Sequence, residues 1–389
     1  MKNFYTSQYK RDIKKKISHN YLPDQFKDNE QILKKIKILI KNCDFTLGKD
    51  VTLLEENFKK ITKTKYAFGV GSGTDAMFLS LRALDLKKGD EVITTSFTFY
   101  ATVGSIVTAG GRPVFVDIGD DLNIDPNLIE KKITKKTKAI LLVHWAGKVC
   151  DMDKILKISK KYKIPIIEDA CHAIGANYKS KPAGSFGLSG CFSFHPLKNL
   201  NAWGDGGVIC TNNKSFAEKI FLLRNHGLVS RNVCKLFGYN SRLDSIQAIV
   251  ANFIIKNRLN NITKKRILNS KFLDNELNKI KEIELPIRSK SSSKEVFHLY
   301  HVFCKNQKQL VAYLNKRGID AKIHYPIPVH KQPAAKNFVH KNMGLVNTDK
   351  QVKRIISLPV HEYIKNKDLI FIVDAIKTFY NHERKIRKS

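Results

Sequence analysis

The sequence predicts an α/β protein, with a large domain built on a mostly parallel sheet and a smaller α/β domain after it. Three observations carry this. Short continuous apolar runs alternate with amphipathic ones from about residue 65 to about residue 170, the pattern of strands covered by helices on both faces. A helical and increasingly charged stretch then runs from SRLDSIQAIVANFIIKNRL to FLDNELNKI. Beyond Pro286 the polar segment RSKSSSKEV reads as a linker to a second set of strand and helix patterns.

Taken in order, KYAFGV reads as a strand followed by the helix DAMFLSLRALDL, and DEVITT as a strand followed by FYATVGSIVTAG. RPVFVDI precedes DPNLIEKKIT, KAILLVHW precedes MDKILKISKKY, and IPIIEDA ends this alternation. GCFSF and GGVICT are two further strands, joined by a connection that contains Lys198, and KSFAEKIFLLRNHG is the next helix. In the last third, HLYHVFC reads as a strand, with QLVAYLNKRGI and DLIFIVDAIKTFYNHERKI as helices. The division expected is a basic N-terminal arm and lead-in over 1–34, the large ligand-binding domain over 35–260, and a long connecting helix with the small domain over 261–389.

The 389 residues are 42% hydrophobic and 27% charged, ordinary for a globular protein, and no apolar run approaches the roughly 20 residues that span a bilayer. The opening MKNFYTSQYKRDIKKKISHNYLPDQF has no continuous apolar segment of the secretory kind, so a cytoplasmic protein with a mobile or surface arm is expected. Seven cysteines, odd in number and without a C-x-x-C pair, fit free thiols in a reducing compartment, and no structural metal is expected. Lys and Arg number 69 against 35 Asp and Glu, a net charge of +34. Because the lysines run along the whole chain, they read as solvated faces whose field raises encounter with a phosphorylated substrate. No nucleic-acid-binding signature accompanies them; a nucleic-acid-binding regulator is the alternative that the charge alone would suggest.

Ligands of open α/β sheets lie at the carboxyl ends of strands, and three such ends carry chemistry. KYAFGV runs into Gly71, Ser72, Gly73 and Thr74 ahead of a helix, where backbone N–H groups can cradle a phosphate. The same letters also describe a tight turn whose serine or threonine caps a helix. IPIIEDA ends in Glu168 and Asp169, followed by Cys171 and His172, and a carboxylate there can be a cap, a surface group or a buried charge that needs a cation. GCFSF ends in Ser193, with His195 and Lys198 following. A phosphate cradle, a carboxylate and an amine on one sheet edge match the needs of pyridoxal 5'-phosphate: donors for its phosphate, an acid for its ring nitrogen, an amine for its aldehyde.

These segments, with GDEVITTSFTFYATV, IIEDACHAIGA, SFHPLKNL, GDGG, RNHGL, FGYNSRLDSIQA and HYPIPVH, resemble the DegT/DnrJ/EryC1/StrS family of sugar aminotransferases, over about residues 35 to 380. The resemblance implies the aspartate-aminotransferase-like fold (fold type I) and a homodimer with shared active sites. It implies that Lys198 carries the cofactor as an internal aldimine and then moves the proton, with the pyridoxamine form as intermediate. It further implies that Asp169 pairs with the ring nitrogen, His172 lies beside the phenolic oxygen, Phe99 stacks on the ring, and Gly73, Thr74 and Ser193 hold the phosphate with Asn240 of the other subunit. Arg224, Tyr325 and His330 are substrate-binding candidates. For Arg224 a helix-dipole role, and for Tyr325 and His330 a structural one, stay equally open; His195 is expected behind the site.

The function so implied is transfer of an amino group, from L-glutamate by family habit, to the keto group of a nucleotide-linked sugar. A free keto-sugar or keto-cyclitol is the alternative acceptor. The family's dehydratase branch carries histidine where aminotransferases keep lysine, and Lys198 argues against it.

Overall fold

The computed structural model describes residues 15–339 and 343–386. Its strands, in chain order, are β1 (Tyr66–Val70), β2 (Glu91–Thr95), β3 (Arg112–Val116), β4 (Thr137–Val143), β5 (Ile166–Asp169), β6 (Asn177–Tyr178), β7 (Lys181–Pro182), β8 (Ser189–Ser193), β9 (Gly207–Thr211), β10 (Leu228–Ser230), β11 (Val233–Cys234), β12 (Ile283–Glu284), β13 (Tyr300–Cys304) and β14 (Ile355–Leu358). Seven of them form one sheet in the order β1-β9-β8-β5-β4-β2-β3. Only β9 runs against the rest, since it is antiparallel to both β8 and β1 while the other pairings are parallel.

Period-two geometry explains why these strands are apolar on both faces. Ile140 and Leu142 of β4, Ile166 of β5 and Phe192 of β8 enter one core, with Leu54 and Phe58 of the helix Lys49–Thr62. Their neighbours Leu141, Ile167 and Cys191 face the other core, with Met77 and Leu81 of the helix Gly73–Arg82. A fully buried side chain such as Phe58 contributes about 1.5–3 kcal/mol. The sheet is thereby fixed as a rigid platform, and the carboxyl ends of β1, β2, β5 and β8 share one edge.

The small domain is the antiparallel sheet β12-β13-β14. The helices Gln307–Lys316 and Asn366–Ile386 pack on it around Leu310, Ile356, Ile372 and Ile376. Among the described residues no helix is long and apolar enough to cross a membrane.

Three features depart from the expectations above. The long connecting helix is two, Ser245–Asn257 and Leu259–Leu277, broken at Arg258, whose non-helical backbone (φ −133°) lets its guanidinium donate to the carbonyls of Gln25 and Asp28. The polar linker is anchored: Arg288 lies 2.9 Å from Asp274 and 3.6 Å from Glu295, and Lys294 exchanges backbone bonds with Asn177. Residues 1–14 of the basic arm lie outside the described residues, but from Lys15 onward the segment is a packed strap and not a surface arm. Ile17 (4% exposed) bridges to Ile319, and Tyr21 (3% exposed) stacks on His361 at 5.0 Å beneath the Arg266 guanidinium.

Candidate active site

The turn after β1, the loop after β2, the end of β5 and the loop after β8 enclose one cleft of about 340 Å³. Its walls include Gly73, Thr74, Phe99, Asp169, His172, Ser193, His195, Lys198 and Tyr325. Residues far apart in the sequence meet here because parallel strands deliver their carboxyl ends to the same edge.

At the β1 turn both readings of the sequence hold together. The Ser72 hydroxyl accepts the Asp75 N–H at 3.0 Å and caps the helix Gly73–Arg82. Gly73 and Thr74 begin that helix, so their N–H groups have no carbonyl one turn earlier and are placed to receive an anion. Glycine is required sterically: a Cβ on residue 73 would lie 2.5 Å from Ser193 Cβ and 3.0 Å from Cys171 Sγ.

Asp169 ends β5 as a buried carboxylate. Oδ2 accepts the Thr102 hydroxyl at 2.8 Å and Oδ1 accepts the Cys171 N–H at 3.2 Å, so the carboxylate is oriented without a neutralising cation bonded to it. Its neighbour Glu168 points the other way into the protein. It accepts the N–H groups of Gly184, Phe186 and Gly187, each at 2.7 Å, and faces His144 Nε2 at 2.9 Å. Of the two acids at this strand end, one is a structural clasp and the other faces the cleft.

Lys198 lines the cleft and makes no ion pair with any described residue. Burial pulls its amine below the ordinary lysine range, while Cys171 and Asp169 oppose that pull. The same burial, with Lys198 and His324 adding to it, holds His172 well below the usual imidazole range, so it is neutral. His172 lies between His298, 4.2 Å away ring to ring, and Trp145 at 5.7 Å, and its buried Nδ1 has no partner. Cys171 is pushed up by burial and by Asp169, which makes it a packing thiol and not a nucleophile.

Phe99 caps the helix Tyr100–Thr108 at the mouth, half exposed, with Tyr325 6.1 Å away. The remaining candidates lie elsewhere. Arg224 is paired with Glu55 and donates to the Gly69 carbonyl at 2.9 Å, sandwiched by Phe68 and Phe221, and it is not among the residues that line the cleft. His330 pairs with Asp349 at 3.3 Å and is likewise absent from the cleft wall. Asn240 is exposed beside the β10–β11 hairpin, where its carbonyl accepts from Arg242 at 3.0 Å. Thr102, His298 and His324 line the cleft without having been anticipated: HLYHVFC reads only as a strand, and HYPIPVH drew attention to Tyr325 and His330.

The cofactor expected from the sequence fits these residues. An uncommitted amine, an oriented carboxylate, an orphaned imidazole nitrogen and open helix N–H groups surround one cleft.

The comparisons with known proteins agree with this reading. The model of the DegT/DnrJ/EryC1/StrS aminotransferase family matches residues 27–377. A "Pleiotropic regulatory protein" of Geobacillus stearothermophilus is 37% identical, over 90% of this chain and 95% of its own. The UDP-2-acetamido-2-deoxy-3-oxo-D-glucuronate aminotransferase of Pseudomonas aeruginosa is 34% identical, over 88% and 94%. The crystal structure of Streptomyces venezuelae DesV in complex with a ketimine intermediate superposes with a TM-score of 0.88 at 32% identity, covering 92% of this chain and 96% of that one. Structures with the pyridoxamine form of the cofactor are also among the similar folds.

Proposed function

This chain belongs to the DegT/DnrJ/EryC1/StrS aminotransferase family and is a pyridoxal-phosphate aminotransferase of fold type I; from that premise we propose that its acceptor is the keto group of a nucleotide-linked sugar and its donor L-glutamate. The observation that supports the aminotransferase premise is the convergence of Lys198, Asp169, His172 and the Gly73 turn on one cleft.

Bound there, the cofactor supplies an aldehyde carbon for the travelling amine and a ring that draws electrons from the reacting carbon. Asp169, oriented by Thr102 and Cys171, would keep a proton on the ring nitrogen. Lys198 Nζ, its basicity lowered by burial, would serve as the base and acid that moves the substrate's proton. Neutral His172 offers one hydrogen bond beside the ring without adding charge. Gly73, Thr74 and Ser193, which line the same cleft, would hold the phosphate.

The acceptor class rests on relatives named for nucleotide-linked amino sugars. A homodimer is proposed from the β10–β11 hairpin and the segment after it, where Val229, Val233 and Phe237 (98% exposed) are exposed apolar side chains a short way before Asn240. A second copy docked on that surface would bring Asn240 to the phosphate end of its neighbour's cleft.

The test is spectroscopic. Purified protein should carry the absorbance of a lysine-bound cofactor, lose it on adding L-glutamate, and regain it with a nucleotide-linked keto-sugar but not with the free keto-sugar or keto-cyclitol. Lys198→Ala should lack the wild-type absorbance band and turn over no measurable substrate. A variant with unaltered cofactor absorbance contradicts the assignment.

A further inference from the structure

Behind the cleft, a second chamber of about 130 Å³ shares four wall residues with it: Leu197, His298, Leu299 and His324. It is closed on the far side by the N-terminal strap (His19, Asn20, Tyr21), by Arg266 of the helix Leu259–Leu277, and by Lys322 and His361 of the small domain. The strap is fastened at both ends of this wall. The Tyr21 hydroxyl donates to the Lys198 carbonyl at 3.1 Å, His361 Nε2 donates to the Ser18 carbonyl at 2.9 Å, and the His19 N–H donates to Asp320 at 3.0 Å.

The polar groups on this wall are unevenly satisfied. His361 uses both ring nitrogens, the second accepting from the Tyr363 N–H. Arg266 is balanced by Glu362 at 3.2 Å and bonded to the Phe297 carbonyl. By contrast, His19 Nε2 is buried with no partner, and Nδ1 faces only Asp320, at 3.7 Å and beyond hydrogen-bond length. His324 has one nitrogen on Ser357 at 3.0 Å and lines both the chamber and the cleft. Lys322 stands beside them, 3.3 Å from Asp320. Buried polar groups left in this state are costly in the free protein and are relieved by a ligand that matches them.

We propose that this chamber is the carboxylate subsite for the amino donor, bound by His19, His324 and Lys322. The proposal rests on the aminotransferase reading above. The chamber is the smaller of the two spaces, about 130 Å³ against about 340 Å³ for the cleft, and so suits a carboxylate on a short arm better than a sugar nucleotide. That larger molecule is left to the open mouth between Phe99 and Tyr325. Donor and acceptor would then share the reacting centre at Lys198 and diverge on either side of it, the small dicarboxylate inward and the sugar nucleotide outward.

The same chemistry could come from the carboxylate of an acidic sugar, so the experiment separates the two. Holoenzyme is titrated calorimetrically with glutarate, which cannot react, and with free D-glucuronate and inorganic phosphate as alternative anions. The variants His19→Gln and Lys322→Met are compared with wild type, with melting temperature as the control for folding. Glutarate should bind and compete with glutamate. Each variant should weaken glutarate and raise the KM for glutamate by about tenfold to a hundredfold, the loss expected for one charge-assisted hydrogen bond. The KM for the amino-sugar product in the reverse half-reaction should move much less. Glutamate KM unchanged within twofold in both variants, or glucuronate or phosphate binding in place of glutarate, would overturn the proposal. If no carboxylate-bearing amine bleaches the wild-type cofactor while glutarate still binds in a variant-sensitive way, the activity reading falls and the subsite stands.

Discussion

At the scale of single residues, the carboxylate of Asp169 is held by two neutral donors, the Thr102 hydroxyl at 2.8 Å and the Cys171 N–H at 3.2 Å. Neither neutralises it, so its charge stays available to a cationic ring nitrogen. Asp169→Asn keeps the shape and removes the charge. The variant should still take up cofactor but lose about 10²- to 10³-fold in the rate of bleaching by the donor, the usual loss for one preorganised electrostatic group. Single-turnover absorbance measures this, and a rate within tenfold of wild type would mean that Asp169 does not serve the ring. The acidic pair Glu168 and Asp169 is conspicuous at the end of its strand, but only the family resemblance singles out Asp169 of the two. Thr102 is not conspicuous, since nothing in ATVGSIV marks the one hydroxyl that faces a carboxylate. The surroundings of Arg224 are hidden for a related reason: its partner Glu55 stands 169 positions away.

At the scale of elements, the alternation of apolar runs reveals the sheet because both faces of each strand are buried, while elements that depend on distant partners stay hidden. The strap is the clearest case. Ile17 and Tyr21 sit in a lysine-rich stretch that looks like a solvated arm, and only docking on Ile319 and His361 gives them a core. The β10–β11 hairpin presents the converse problem, with apolar side chains and no cover in one chain. Two copies that bury Phe237 gain about 1.5–3 kcal/mol for each ring. Phe237→Ser should therefore raise the dissociation constant of the dimer by at least about tenfold. Sedimentation at micromolar concentration reads the shift, and activity should fall as monomer appears, because Asn240 would no longer reach a neighbour's cleft. Fully active wild-type monomers would remove the shared-site reading.

For the molecule as a whole, the abundance of lysine hides where the electrostatic risk lies, which is in histidine. Burial is the largest cause that depresses His172, His298 and His301 well below the ordinary range and His324 and His361 to about 3. Unfolded, each binds a proton near pH 6.5; folded, each refuses it until much lower pH. Between those limits the unfolded chain holds more protons, so stability rises with pH and is lost as pH falls below about 6.5. One such imidazole removes about 1.4 kcal/mol per pH unit. Five together remove roughly 7 kcal/mol per unit against a typical total of about 5–15 kcal/mol. Urea unfolding midpoints of the holoenzyme should thus be flat above pH 7 and collapse between about pH 5.5 and 4.5. His361→Gln should make the fall shallower, because a charged His361 cannot accept the Tyr363 N–H and glutamine never titrates. Repulsion within a chain of net charge +34 acts in the same direction as pH drops, but salt shortens its reach from about 10 Å at 0.1 M ionic strength. The part of the slope that survives at 1 M salt is the desolvation of the imidazoles, and a midpoint that stays level down to pH 5 under those conditions would show that they are charged inside the fold.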